Sequence, residues 1–486
     1  MRSILAVCNF LGSLLLVCAA LYLLPALTSL FNGEPDTAVT FIGGGLLTAV
    51  VALALRLPTG RYRDALKPRD GYLLVTVGWL LVTLVAALPL MREIPGLSFT
   101  DACFEAMSAL TTSGVTTLSH VELLPRGVNL WRHALQWFGG MAIIVLAVAI
   151  LPLLGVGGMQ VQRGDAPGGT KDARLTPRIQ QTAGALWLVY CGLTLLCVLA
   201  LLGVGMPLFD AVCHAFTVLS LGGFSTHDAG LAYFHSGRIE AVVAVFMLVA
   251  AINFSTHFGA LRKGNTNIYL RDPEARWLLL WIAGSVLGLT AYLLNFGTFT
   301  SVGLALHQVG FNVISMATTS GLSTVDWSAW PLFAPMWMLF LGSISSSSGS
   351  PGGGIKMFRT LVLFKQSLRE MFVLVHPQAV APLKIAGSVI PNRVVYSVLA
   401  FIFVYFMTLV TLTFAMLATG LDFMTAFTAV LASLNNAGPG LGAVAPGHNW
   451  ASLADSQVWL CITAMFLGRI ELFTALVLFT PAFWRK

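Results

Sequence analysis

Long apolar runs, interrupted by short polar stretches, dominate this chain. Most runs approach the roughly 20 residues that a helix needs to cross a hydrocarbon core. Between them recurs a shorter apolar run that cannot cross, followed each time by small residues. Residues 101–117 read DACFEAMSALTTSGVTT, and residues 210–226 read DAVCHAFTVLSLGGFST. Residues 308–324 read QVGFNVISMATTSGLST, and residues 425–441 read TAFTAVLASLNNAGPGL. Laid over one another, they place Gly114, Gly223, Gly321 and Gly438 at one position. One unit has been copied four times, and such a repeat organises everything else.

Each unit reads as a spanning helix, a re-entrant segment and a second spanning helix. The spans fall at 71–91 and 131–154, 181–202 and 238–261, 275–294 and 331–364, and 391–417 and 457–479. Two further runs, 4–27 and 40–55, precede the repeats. The first is too long for an ordinary signal core and leads to no cleavage site, so it reads as a membrane helix. The predicted fold is an all-α polytopic membrane protein. It has four pseudo-repeated helix–pore-loop–helix units around one pore, plus two extra N-terminal helices. The divisions are 1–70 (the extra pair and a basic loop), then repeats at 71–180, 181–274, 275–390 and 391–486. That gives ten spanning helices and four half-entering segments.

Composition agrees: 57% hydrophobic residues against 10% charged ones leave no way to hide the apolar surface except in a bilayer. The net charge of +7 does not indicate nucleic-acid binding, because it sits in loops and no nucleic-acid fold signature accompanies it. Most of the Lys and Arg fall in loops on the side that carries both chain ends. Positive residues stay inside, so both termini are expected in the cytoplasm and the re-entrant segments enter from outside. The seven cysteines lack CxxC pairing and read as small apolar residues.

Irregular backbone at membrane depth survives only when buried in protein or lining water. Four re-entrant segments around one axis form the layout of a potassium-channel pore within a single chain. Each pore helix would aim its C-terminal carbonyls at the centre, where about half a negative charge favours a cation. Rings of backbone carbonyls replace the hydration shell of an ion. Turning them inward needs positive φ, which glycine adopts freely. The expected ion-binding filter is therefore Thr111, Thr112, Ser113 and Gly114; Ser220, Leu221, Gly222 and Gly223; Thr318, Thr319, Ser320 and Gly321; and Asn435, Asn436, Ala437 and Gly438. Potassium would sit at Thr112, Leu221, Thr319 and Asn436. One shared glycine per copy, against two in the TVGYG filter of tetrameric channels, predicts a looser filter that passes rubidium and some sodium. Asn312 and Asn436 are candidate cation-facing groups. Asp101, Asp210 and Asp422 at the outer mouth could attract cations or cap the pore helices.

The second helix of the third repeat must break. Its first apolar run, about ten residues, rises about 15 Å, half the hydrocarbon core. Then follows a Gly-, Ser- and Pro-rich stretch, 342–354, that helix cannot traverse. A loop at mid-membrane reads as a gate, with Gly342, Ser346, Gly349, Ser350, Pro351, Gly352, Gly353, Gly354 and Lys356 in it. A cytoplasmic Gly/Ser linker would leave the unit without its second span. GGGIK also lacks the ending of a phosphate-binding loop. Arg469, near the middle of the last span, needs partners. Loop carbonyls are expected rather than Glu471, which lies on another face of the helix.

These residues resemble a known family. Residues 136–141 (QWFGGM), 151–158 with Met159 and Gln160, 222–228, 315–319, 434–442, 466–473 and 478–484 look like its signatures. The chain is similar to the membrane subunit of bacterial Trk potassium-uptake systems, of the TrkH/TrkG type, in the superfamily with KtrB and plant HKT transporters. The resemblance implies a homodimer with one pore per subunit, in a bacterial inner membrane. It implies potassium as substrate and gating by a cytosolic TrkA-type ring that binds NAD and nucleotides. No cofactor is expected on this chain itself. It makes 342–354 an intramembrane gating loop with Arg469 as partner. In HKT relatives a serine at the first filter position accompanies sodium selectivity; Gly114 here favours potassium. The family loop reads close to GGCAGSTGGGIK, and residues 345–356 here read SSSSGSPGGGIK. Pro351 stiffens the loop and removes a donor.

Rival readings are a potassium- or sodium-coupled symporter of the same fold, a membrane-embedded enzyme and a structural subunit. The sequence offers no HExxH, no nucleophile–His pair and no metal-ligand cluster, and His214, His227 and His307 read as packing or mouth residues.

Overall fold

The computed structural model describes residues 2–65, 69–146 and 175–485. The expected end of the first repeat's second helix lies outside the described residues. So do the signature at 151–160 and the loop cations Lys67, Arg163, Lys171 and Arg174.

The four short apolar runs form helices: Phe99–Leu110, Leu208–Ser220, Val302–Ala317 and Phe423–Asn435. We call them pore helices 1 to 4. Each is preceded by a long outer helix: Asp70–Glu93, Leu175–Gly203, Pro273–Asn295 and Asn392–Ala418. Each is followed by an inner helix. These begin as Arg126–Val145, Gly237–Ala251, Phe333–Ile344 and Asp455–Arg469. Among the described residues, six helices are long and apolar enough to cross a membrane on their own, and two bent pairs could each form a further span. Outward faces carry exposed Leu46, Val50, Leu195, Phe403 and Phe414, as expected for surfaces solvated by acyl chains.

Two expectations need correction. The inner helices of repeats 2 and 4 are not continuous over 238–261 and 457–479. They bend by 93° before Phe254–Lys263 and by 106° before Leu472–Phe479. Neither glycine nor proline marks these breaks. Ile252 becomes extended, and the Asn253 side chain accepts the Ser255 N–H at 2.8 Å to start the next helix. Ile470 ends the other helix, and Glu471 turns the chain with φ of +62°. In repeat 3 helix resumes at Met357 and continues to Val375, beyond the expected 364. A small departure from the all-α expectation is an antiparallel hairpin, Lys384–Ile385 against Ser388–Val389, turned by Ala386 and Gly387.

The extra N-terminal helices, Arg2–Leu21 continued by Leu23–Phe31 and then Pro35–Thr59, lean on repeat 1. Tyr22 is the key: its ring lies 4.4 Å from that of Trp131, and its hydroxyl donates to Val85 O at 2.5 Å. The Trp131 indole in turn donates to Ala86 O at 3.1 Å. A polar tip on a buried ring must find such a partner.

Inner helices approach pore-helix ends through glycine. A Cβ on Gly139 would collide with Leu110 O, and one on Gly468 with Leu434 O. One on Gly342 would sit 3.0 Å from Met316 O. Overpacking of a tight core costs about 1–3 kcal/mol, and backbone atoms cannot swing aside. Gly468→Val should therefore lower the melting temperature in detergent by several degrees. Gly284→Ala, where nothing lies within 4 Å, should leave it unchanged.

Candidate functional site

All four pore helices end in the same way. The N–H one residue before the shared glycine bonds the carbonyl five residues earlier: Ser113 to Ser108 at 2.9 Å, Gly222 to Thr217 at 2.9 Å, Ser320 to Ser315 at 2.9 Å and Ala437 to Ala432 at 3.0 Å. This six-to-one closure needs a left-handed residue inside it, usually glycine. Here it is Thr112 (φ +54°), Leu221 (+55°), Thr319 (+63°) and Asn436 (+50°). Two residues on, Gly114, Gly223, Gly321 and Gly438 are also positive, at +75°, +81°, +75° and +90°. So each copy carries two left-handed residues. The sequence pointed only to the second. Asn436 tolerates the left-handed region, but Thr and Leu give no sign of it.

The four stretches meet. A Cβ on Gly114 would strike Gly222 O and come within 2.8 Å of Gly223 Cα. One on Gly223 would strike Ser320 O, and one on Gly321 would lie 2.8 Å from Gly438 Cα and 2.9 Å from Ala437 O. Asn436 Nδ2 donates to Ser113 Oγ at 2.9 Å and closes the circle from repeat 4 to repeat 1. On one side of this ring opens a cavity of about 410 Å³, lined by Gly114, Gly223, Gly321 and Pro439, one from each repeat.

Individual positions differ in their engagements. The Gly222 carbonyl accepts Gln136 Nε2 at 2.5 Å, and Gln136 Oε1 accepts the Thr217 hydroxyl at 2.9 Å. That carbonyl is braced by a buried amide rather than left bare, and sequence reasoning did not single out Gln136 for this. Thr111 and Ser113 hydroxyls meet at 2.9 Å. Asn435 bridges Tyr405 OH, at 2.7 Å, and Ser343 Oγ, at 2.8 Å. Asn312 does not stand free for a cation. Its Nδ2 donates to Gln308 O and Thr324 Oγ1, and its Oδ1 accepts Thr324 N.

The aspartates divide. Asp422 caps pore helix 4 through the Thr425 N–H at 2.9 Å, and that bond holds its carboxyl below the usual range. Pore helix 1 is capped by Ser98, with Asp101 bonded to the same hydroxyl at 2.7 Å. Asp210 accepts the Thr226 hydroxyl at 2.6 Å and lies 3.6 Å from His227.

Opposite the cavity, residues 345–356 fold under the ring. Gly353 N–H donates to Thr319 Oγ1 at 2.9 Å, and a Cβ on Gly353 would strike Asn435 O. A Cβ on Gly352 would meet Ser346 Oγ and come within 3.1 Å of Thr318 O. Gly349 lies against the Asn253 side chain, its carbonyl accepting Phe254 N at 3.2 Å. Gly354 (φ +75°) crosses the Gly342 and Ser343 carbonyls at a distance that leaves no room for a side chain. Arg469 and Lys356 hold the middle of the loop. Arg469 donates to Pro351 O at 2.6 Å and to Gly139 O at 3.3 Å. Lys356 Nζ donates to Gly352 O and, at 3.2 Å, to Ser350 O. Glu471 pairs with Arg359 at 2.7 Å instead. Ser348 N–H donates to Glu274 at 2.6 Å.

Four re-entrant helices whose non-helical ends meet in one ring, with a cavity on one side and a loop on the other, define a multi-pass transport protein. The TrkH family model, described as a cation transport protein, matches residues 38–486. The potassium uptake protein TrkH of the Trk system from Salmonella typhimurium is 42% identical over 482 residues, covering 99% of both chains. The Escherichia coli TrkG protein of the same system is 36% identical over 473 residues, covering 95% of both. The crystal structure of the potassium transporter TrkH from Vibrio parahaemolyticus superposes with a TM-score of 0.91 at 40% identity, covering 99% of this chain and 100% of that one. The chain belongs to the TrkH family of cation transport proteins. It is a transporter, not an enzyme.

A side chain at Gly223 would both meet Ser320 O and force a left-handed non-glycine residue. Gly223→Val should therefore cut cation flux into proteoliposomes at least tenfold while the protein still inserts, as read by rubidium uptake against chromatographic recovery.

Proposed function

We propose that this chain takes up potassium across a bacterial inner membrane through a channel-like pore. Cations arrive in the cavity and lose water at the ring of four glycine-centred stretches. They then wait above residues 342–354, which act as an intramembrane gate. The observation that carries this reading is the convergence of four positive-φ glycines, one per repeat, between that cavity and that loop. Potassium is the ion named for the TrkH and TrkG relatives. The distribution of Lys and Arg supports cytoplasmic termini, with the cavity facing outside.

The gate works by competition for hydrogen bonds. Closed, the loop is held by Arg469 on Pro351 O, by Lys356 on Gly352 O and by Thr319 on Gly353 N–H. Opening must break these together and give the freed carbonyls water. A cytosolic TrkA-type ring, with nucleotide bound to it and not to this chain, would supply the force, and the chain would work as a homodimer. Pro351 narrows the backbone freedom of the loop and shifts the balance toward one state. The second reading, a symporter coupled to potassium or sodium, differs in turnover: a carrier cannot pass ions at channel rates.

Uptake of rubidium, competed by potassium or by sodium, tests the proposal directly. Potassium should compete well and sodium poorly; no competition by potassium would contradict the assignment. Arg469→Ala removes the bond to Pro351 O and should raise uptake several-fold in the absence of a cytosolic partner.

A further inference from the structure

The returning strand after each glycine is braced by a pore-helix side chain, from one register in three copies and from its neighbour in the fourth. Nine residues before the glycine, repeat 1 has Glu105, repeat 2 His214, repeat 3 Asn312 and repeat 4 Ala429. Glu105 Oε1 accepts the Thr116 hydroxyl and, at 2.8 Å, the Thr117 N–H. His214 Nε2 meets Ser225 Oγ at 3.0 Å, with Nδ1 on Asp210 O at 2.8 Å. Asn312 takes Thr324 N–H at 3.3 Å and gives to Thr324 Oγ1 at 3.1 Å. Ala429 cannot reach, and its neighbour Thr428 does the work: Leu441 N–H donates to Thr428 Oγ1 at 2.8 Å. In every case the strand is gripped two or three residues past the glycine.

Repeat 1 adds charge. Arg132, from the inner helix, donates to Glu105 Oε2 at 3.2 Å, to Thr116 Oγ1 at 3.3 Å and to Asn129 Oδ1 at 3.3 Å. Its guanidinium stacks 4.2 Å from the Phe224 ring, the residue after Gly223. Glu105 is 0% and Arg132 1% exposed, so this ion pair is buried, with Arg132 in the wall of the cavity. Desolvation offsets much of the attraction within a buried pair, so the role left for this one is to fix geometry. Arg132 therefore ties the returning strands of repeats 1 and 2 to each other as well as to pore helix 1.

We propose that these side chains are positioning residues for ion discrimination: struts that fix how closely the returning strands stand, with the Glu105–Arg132 pair the stiffest. None needs to touch an ion. On the snug-fit account, a ring of carbonyls discriminates between cations by resisting collapse around the smaller one, and struts anchored to the pore helices supply that resistance. The inference rests on the transport reading above.

The test uses the full chain in proteoliposomes and reads the sodium-to-potassium competition ratio against rubidium uptake. The double variant Glu105→Gln/Arg132→Gln removes both charges together and leaves neither unpaired. It should lower discrimination at least tenfold while rubidium still passes. Asn312→Ala should lower it several-fold, and Asn312→Asp, which can still accept both the Thr324 N–H and its hydroxyl, should restore it. Unchanged discrimination in a correctly inserted Asn312→Ala protein, or loss with no rescue by Asp, overturns the proposal even if the double variant does not fold. Failure of the wild-type protein to conduct potassium would instead refute the transport reading, and is distinguished by that control alone.

Discussion

The structure depends on one constraint: backbone that leaves helical geometry inside a membrane must have its polar groups satisfied by protein or by what passes through the pore. Four pore helices stop short of the far side, and each closes its end with the same six-to-one hydrogen bond. Only then can the next residues return as extended chain. The left-handed turns at Thr112, Leu221, Thr319 and Asn436 are the cost of that stop. A non-glycine residue held there is over-determined by its surroundings, and such strain gathers at functional positions.

The rest of the fold follows from holding those ends together. Gly139 and Gly468 let inner helices press against Leu110 and Leu434 carbonyls. Gln136 braces the Gly222 carbonyl from behind. The bends after Ala251 and Arg469 bring two chain breaks to the loop: Asn253 and Phe254 against Gly349, and Arg469 on Pro351. The loop thus contacts the ring above it and the bent inner helices beside it. Movement of either inner helix has a direct mechanical path to residues 345–356.

Much of this was legible in the sequence because repetition amplifies weak signals. A single Thr-Ser-Gly is turn chemistry; four glycines in register after short apolar runs specify a shared centre. The break at 342–354 was legible from Gly and Pro, which leave helix no choice. The bends at Ile252-Asn253 and Ile470-Glu471 were not: Asn253 is an N-cap residue type that went unread inside a long apolar run, and Ile470 and Glu471 carry no breaking signal, so tertiary contacts decide there. The left-handed Thr and Leu residues were hidden for the same reason. The struts had a signal that went unread: a polar residue at one register in three of four otherwise apolar helices. Asn312 drew attention as a cation-facing group, yet its amide is spent on Thr324. Arg469 lay far in sequence from the loop it holds, and only the need for partners and the family resemblance suggested it.

The central claim is that the four glycine-centred stretches surround an ion path. An experimental map of the protein in thallium or rubidium, with anomalous scattering recorded, tests it most directly. The account requires anomalous peaks on the axis between Gly114 and Gly321, within reach of carbonyls from all four repeats. Peaks confined to the outer cavity or to surface carboxylates, with none on that axis, would contradict it.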